Sequence, residues 1–333
     1  MSVTIRQRNH VVGRLAITKL PETLFSMPSP NSKLSVLLKT SPPPFLMLTP
    51  VCIFLGISTS LATQSSISYF LIILILTGAL SARISVNILN EYFDFKSGLD
   101  FKTRITPFRG GSGALPSNPE LAGLVLKAGL ALLIVTVIIG IYLSLQRSIQ
   151  ILPIGLMGVT LLTTYTPWLN RSPVLCLVTP GLGFGVLMVV GTHVILTGQH
   201  AHLLPWLVSL PPFFLINNLL LLNQYPDMAA DASVGRKTFP IAFGLKTSTR
   251  VYAIFLLAAG LCVPLLIAAQ VLPRQSLLAL TSLSLALFSL IGAVKYSRTP
   301  ADRPRHMAAN VAAAILTPLA LGISIIVYLR FAG

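Results

Sequence analysis

Apolar residues run through this chain in long blocks separated by polar breaks. A helix needs about 20 apolar residues to cross a bilayer core. Nine blocks approach that length, at roughly 44–63, 67–90, 121–145, 149–168, 174–197, 203–223, 251–270, 276–294 and 309–331. The pattern predicts an all-α membrane protein, a bundle of nine transmembrane helices. Connections after the first, third, fifth and seventh blocks are short, and those after the second, sixth and eighth are long and polar. Residues 1–43 are polar and carry Pro28, Pro30 and the run Pro42-Pro43-Pro44. They read as a cytoplasmic arm, loosely ordered or disordered, before a transmembrane domain over 44–333. The stretch Ser32–Lys39 reads either as a short interfacial helix or as part of that tail. The basic N-terminus has no immediate apolar core with a cleavage site, so no cleaved signal peptide is expected.

Composition sharpens this. Of 333 residues, 54% are hydrophobic and only 10% charged, against about a quarter in an ordinary soluble domain. The mean hydropathy of +0.82 excludes a disordered chain as well. Cys52, Cys176 and Cys262 all lie inside apolar blocks without metal-ligand or pairing spacing, so they read as small core residues, not a disulfide scaffold. The net charge of +16 comes from 24 Lys and Arg against 8 Asp and Glu. No compact basic domain or aromatic stacking motif accompanies it, so no nucleic-acid partner is expected. Basic loops facing an anionic leaflet account for it instead.

The placement of the bases gives an orientation. Before the first block stand Arg6, Arg8, Arg14, Lys19, Lys33 and Lys39. Alternate connections hold Lys96, Lys102, Arg104 and Arg109, then Arg171, then Arg236, Lys237, Lys246 and Arg250, then Lys295, Arg298, Arg303 and Arg305. The opposite side holds only Arg147, Arg274 and Arg330. Nine spans keep this bias in phase. The N-terminus is therefore expected in the cytoplasm and the C-terminus outside.

The scarce acids are concentrated. Five of the eight fall within 91–100 and 227–231, both on the expected cytoplasmic face. In the first cluster Arg83, Asn87, Asn90 and Asp94 are spaced to share one helix face. Glu91 lies off that stripe. Gly98 is expected to end the helix, with Asp100 on the following loop. In the second cluster Asn223, Asp227 and Asp231 recur at intervals of four, and Gly235-Arg236-Lys237-Thr238 follows. Both clusters have the form N-x-x-x-D plus a second acid and then a basic loop, an internal duplication at the level of motif.

Carboxylate and amide oxygens suit Mg²⁺, which typically bridges to substrate phosphates. Facing clusters built from Asn90, Asp94, Asp100, Asn223, Asp227 and Asp231 would hold Mg²⁺ on a diphosphate. Arg83, Lys96, Lys102, Arg104, Arg109 and Lys237 are candidate diphosphate ligands. Asp94, Asp227 and Asp231 are the candidate catalytic acids. Asn87 and Glu91 remain open between ligand and structural roles. A leaving diphosphate inside a membrane points to a prenyl donor.

These motifs resemble the two aspartate-rich signatures of the UbiA superfamily of intramembrane prenyltransferases. The resemblance covers about 44–331 and implies nine helices, with the signatures at the cytoplasmic ends of the second and sixth. The spacing of Tyr92-Phe93-Asp94 and Gly98-x-Asp100 is similar to the 1,4-dihydroxy-2-naphthoate prenyltransferases of menaquinone synthesis. So are Thr106-Pro107-Phe108-Arg109-Gly110-Gly111-Ser112-Gly113 and Asn223-Gln224-Tyr225-Pro226-Asp227. Arg83 matches a family arginine near the diphosphate. The resemblance implies prenyl transfer to an aromatic acceptor, with dihydroxynaphthoate preferred over other phenolic or lipid acceptors. Two departures stand out: Glu91 replaces an Asp, and Tyr165–Pro173 lacks the Gly-Glu element associated with that branch.

A cation- or proton-coupled transporter is the rival reading, since it too would bury acids in the membrane. Transporters place such groups near the midplane on broken helices. Here they cluster at one interface beside basic loops. His193 reads as structural, and Lys127, Asn217 and Asn218 are intramembrane polar groups without an assigned role.

Overall fold

The computed structural model describes residues 33–40, 43–64, 66–103, 111–199, 202–299 and 303–332. Arg6, Arg8, Arg14, Lys19, Arg104 and Arg109, and most of the expected N-terminal arm, lie outside them. Among the described residues every regular element is helical. The principal helices are α1 (Lys33–Lys39), α2 (Leu48–Leu61), α3 (Tyr69–Lys96), α4 (Ala122–Gln146), α5 (Ile151–Thr164), α6 (Pro173–Thr197), α7 (Leu203–Asn223), α8 (Met228–Ser233), α9 (Phe239–Ala268), α10 (Arg274–Arg298) and α11 (Pro304–Ala332).

Seven of these, α3, α4, α6, α7, α9, α10 and α11, are long and apolar enough to cross a membrane. The protein is an integral, multi-pass membrane protein. The other two expected spans, α2 and α5, are helices of 14 residues each. At 1.5 Å per residue each measures roughly 21 Å, short of the roughly 30 Å hydrocarbon core.

Local chemistry sets the element ends. Ser68 caps α3 by accepting from the Leu71 N–H. Gly98, at φ +76°, follows its last turn as expected. Pro173 opens α6 and Gly198, at φ +74°, closes it. Helix α9 differs from the sequence expectation, starting at Phe239 and not near 251. Pro240 fits at its first turn, and Gly244, at φ +77°, absorbs a sharp break that only glycine takes easily. Lys246 and Arg250 therefore stand on a helix and not in a loop.

Packing gathers the helices into two groups that share α2 and α6. One buried cluster joins Leu55 of α2, Val189 of α6, Leu215 of α7, Val263 of α9, Ala286 of α10 and Leu321 of α11. The other joins Ile53 of α2, Ile75 of α3, Leu143 of α4, Ile151 of α5 and Val190 of α6. The outer face of α4 exposes Ile134, Ile138, Ile141 and Leu145, as a lipid-facing helix does.

Polar groups inside the bundle are paired across helices. The Asn218 amide donates to the Tyr252 carbonyl at 2.9 Å, and the Tyr252 hydroxyl donates to Asn310 Oδ1 at 2.7 Å. Asn217 Oδ1 accepts from the Gly181 N–H at 2.6 Å, where α6 widens into a π-helical turn over Gly181–Leu187. His193 is fully buried and pairs with the Thr59 hydroxyl at 3.1 Å, consistent with a structural role.

Candidate active site

A cavity of about 580 Å³ opens between the two helix groups. Its polar end is lined by Arg83, Asn87, Asn90, Asp94, Asp100, Asn223, Asp227, Asp231 and Arg236. Most of the remaining wall is apolar, including Ile75, Ile139, Leu143, Ile154, Phe184 and Met188. Every candidate metal ligand named from the sequence lines this one cavity.

The two clusters reach it by different routes. Arg83, Asn87, Asn90 and Asp94 stand on one continuous face of α3. Gly98 then turns the chain into a 3₁₀ segment over Leu99–Phe101, which returns Asp100 to the same wall. The second cluster does not ride a single helix as its spacing suggested. Helix α7 ends at Asn223, a turn runs through Pro226, and Asp227 is the N-cap of α8, which carries Asp231. The backbone restriction that Pro226 imposes on its predecessor explains the break.

Arg236 joins the clusters. Its guanidinium pairs with Asp231 Oδ1 at 3.0 Å and with Asp94 Oδ1. Gly235, at φ +82°, folds the chain back so that the Arg236 N–H also donates to the Asp231 carbonyl at 3.1 Å. Arg83 lies over the Phe184 ring, 4.3 Å from its centroid, with Nε buried and without a hydrogen-bond partner among the described residues. Thr166 donates to Asn90 Oδ1, tying the link after α5 to the first cluster.

Three candidate cations stand elsewhere. Lys96 is exposed, 5.9 Å from the Tyr92 ring centroid. Lys102 is exposed and donates to Ser233 Oγ at 3.1 Å, bridging the rims of the two clusters. Lys237 is exposed, and its backbone N–H donates to the Asn170 carbonyl at 2.9 Å. None of the three lines the cavity.

Glu91 is 5% exposed and is not among the residues that line the cavity. Its carboxylate accepts from the Ser112 N–H at 3.0 Å and from the Ser112 hydroxyl at 2.5 Å. It thereby clips Ser112 and the adjoining Gly111 and Gly113 against the first cluster. Gly111, at φ +68°, is required there: a Cβ on it would lie 2.8 Å from Asp100 Oδ1.

Burial and the neighbouring carboxylates Glu91 and Asp94 push the Asp100 carboxyl up to about 8. Burial also raises Asp231, against the opposing pull of Arg236. The fit to a hard cation can be read from the donors. No three His, Cys, Asp or Glu side chains close on one ion position among the described residues. The oxygens are nevertheless disposed for it. Asp100 Oδ2 and Asn223 Oδ1 are buried in the cavity wall without hydrogen-bond partners among the described residues, in the same cavity as the carboxylates of Asp94, Asp227 and Asp231. An all-oxygen set of this kind suits Mg²⁺.

Sequence reasoning passed over Arg236 as an active-site group, together with Tyr165, Thr166, Asn170, Cys176 and Gln224 on the cavity wall. The readable signal for Arg236 was its place directly after Gly235, five residues beyond Asp231.

The profile of the UbiA prenyltransferase family matches residues 49–314. The chain belongs to this family. It is similar to a 1,4-dihydroxy-2-naphthoate octaprenyltransferase of Bacillus subtilis, at 29% identity over 59% of this chain and 61% of that protein. A 1,4-dihydroxy-2-naphthoate octaprenyltransferase of Haemophilus influenzae is 27% identical over 70% of this chain and 77% of its own length. Among solved structures, an apo UbiA homolog from Aeropyrum pernix shares the fold at a TM-score of 0.64, 17% identity, and coverage of 86% of this chain and 98% of that one. An Archaeoglobus fulgidus UbiA homolog, solved with DMAPP and Mg²⁺, aligns at a TM-score of 0.57 and 14% identity, over 88% of this chain and 99% of its own. This UbiA-family chain therefore has both acid clusters on one cavity within the family fold.

Proposed function

We propose that this protein transfers a prenyl group from a prenyl diphosphate to an aromatic acceptor, with 1,4-dihydroxy-2-naphthoate of menaquinone biosynthesis as the preferred acceptor. The observation that carries this is the shape of the cavity. One end gathers two sets of carboxylate and amide oxygens with two arginines, and most of the remaining wall is apolar. That polarity matches a diphosphate head joined to a hydrocarbon tail. The names of the curated relatives support the acceptor.

Asn90, Asp94, Asp100, Asn223, Asp227 and Asp231 would hold Mg²⁺, which neutralises charge on the departing diphosphate when bound. Arg83 faces the cavity with an uncommitted donor and would contact phosphate oxygens. Arg236 adds a second cation at the same end. The Glu91–Ser112 clip holds Gly111 against Asp100. The apolar wall keeps the tail and the developing allylic cation away from water.

In the bilayer, we place the acid end, and with it the N-terminus, in the cytoplasm and the C-terminus outside, with α2 and α5 completing nine crossings. The bias of Lys and Arg toward the loops at that end supports this orientation. In bacteria that would be the cytoplasmic membrane.

The test is prenyl transfer by purified protein with Mg²⁺, a labelled prenyl diphosphate and a panel of acceptors: dihydroxynaphthoate, other phenolic acids and lipid alcohols. Product with dihydroxynaphthoate alone is expected. Product with another member reassigns the acceptor. Absence of both product and diphosphate release across the panel refutes the enzyme reading and returns the transporter alternative.

A further inference from the structure

A second group of buried polar atoms lines the cavity, on its side toward the start of α6. Gln224 is 7% exposed, Asn170 4% and Thr238 2%. Gln224 Nε2 donates to Cys176 Sγ at 3.2 Å, and the Tyr165 hydroxyl lies 3.5 Å from the same sulfur. This fixes the Gln224 amide, yet its Oε1 is buried with no hydrogen-bond partner among the described residues. Asn170 is pinned through its backbone: its N–H donates to the Tyr165 carbonyl at 3.0 Å, and its carbonyl accepts from Lys237. Its Oδ1 is likewise buried and unpartnered among the described residues, as is Thr238 Oγ1. All five residues line the cavity beside Asp231 and Arg236.

Leaving a buried polar atom unmatched costs about 1–3 kcal/mol, so proteins rarely bury several together. Gathered on a cavity wall, they define what the occupant must offer. Amide oxygens only accept hydrogen bonds. They repel a diphosphate, and an isoprenoid tail offers them nothing. An occupant that presents hydroxyl donors matches them.

We propose that Gln224 and Asn170, assisted by Thr238, form the seat of the acceptor ring and read its hydroxyl groups as hydrogen-bond donors. This rests on the prenyl-transfer reading and extends it. Tyr165 and Cys176 are positioning residues that hold the Gln224 amide with its oxygen toward the cavity. The seat adjoins the acid clusters, so the ring would lie beside the carbon that loses diphosphate.

The experiment compares the full-length protein with Gln224→Leu and Tyr165→Phe, using labelled farnesyl diphosphate and Mg²⁺. The acceptors are 1,4-dihydroxy-2-naphthoate and its dimethyl ether. Gln224→Leu is expected to raise the KM for the dihydroxy acceptor about tenfold or more, one lost hydrogen bond from a buried site. The KM for farnesyl diphosphate and the Mg²⁺ midpoint should stay within about twofold. Tyr165→Phe keeps the ring's bulk and should raise acceptor KM by a smaller factor in the same direction. The dimethyl ether should react poorly with both wild type and Gln224→Leu, because neither can form the bond. A shift of the Mg²⁺ midpoint or donor KM together with acceptor KM overturns the proposal, since it would make Gln224 a ligand of the metal or diphosphate. Equal use of the ether and the diol by wild type overturns it too. Diphosphate release without any prenylated ring defeats the acceptor seat and leaves the donor site standing. Absence of release defeats both.

Discussion

The clip at Glu91 gives a sharp prediction, because its position in the first motif suggests a metal ligand and its geometry assigns it another task. Replacing Glu91 by Ala removes two hydrogen bonds from Ser112 to a carboxylate that is 5% exposed. Hydrogen bonds to charged groups contribute about 1.5–3 kcal/mol each, so losing both loosens the glycine loop by roughly 3 kcal/mol at the low end. That is about a hundredfold in the opening equilibrium of the loop. The assay is hydrogen–deuterium exchange at Ser112 and the following residues, run beside a Mg²⁺ titration of turnover. Exchange should accelerate about a hundredfold, by the same conversion, and kcat should fall. The Mg²⁺ midpoint should hold, because the Glu91 oxygens are engaged by Ser112 and supply no ligand to the metal site. Ser112→Ala, which removes only the hydroxyl bond, should give a smaller effect of the same kind. The reasoning is refuted if Glu91→Ala weakens the Mg²⁺ response while exchange at Ser112 is unchanged.

Asp94→Ala and Asp227→Ala should each abolish turnover while the variant still elutes as a folded, monodisperse protein; near-normal product formation by either would remove these acids from the metal site. Arg236→Ala leaves two largely buried carboxylates facing each other and should lower stability by about 3–5 kcal/mol, read as a lost thermal-unfolding midpoint; adding Asp94→Asn should restore part of it. Mg²⁺ affinity, measured calorimetrically, should rise as pH increases up to about 8 and then level off, because Asp100 still holds a proton at neutral pH that the cation must displace; Asp100→Asn should flatten that dependence. A Cβ on Gly158 would meet no atom within 4 Å, and the residue lines the cavity, so Gly158→Phe should cut the longest prenyl donors from the substrate range and spare short ones.

What the sequence disclosed was whatever depends on local spacing. The apolar blocks became helices because each must satisfy its own backbone in lipid. The stripe from Arg83 to Asp94 survived because no proline or glycine interrupts α3 there. Pro226 did interrupt the second stripe, yet its acids reached the same wall by way of a turn. Contacts between distant segments were hidden. Arg236 pairs with an acid 142 positions away and looked like one more cytoplasmic base. Glu91 meets a serine 21 positions on, so its role could not be separated from that of its neighbours in the motif. The early start of α9 was masked by Pro240 and Gly244, which read as loop residues, although one suits a helix's first turn and the other its break. The π-helical turn in α6 depends on Asn217, a side chain from the next helix.

The bridge made by Arg236 has a consequence for the life of the protein outside its catalytic cycle. Two acid clusters pressed together in a bilayer would repel each other and strain the bundle whenever ligands were scarce. A guanidinium drawn from the chain itself acts as a resident counter-ion, so the bundle can be inserted, folded and kept before metal or donor arrives. Incoming cations must then compete with a tethered rival that never diffuses away. A cation bound at the proposed site would have to displace Arg236 from Asp94 and Asp231, which would temper its grip.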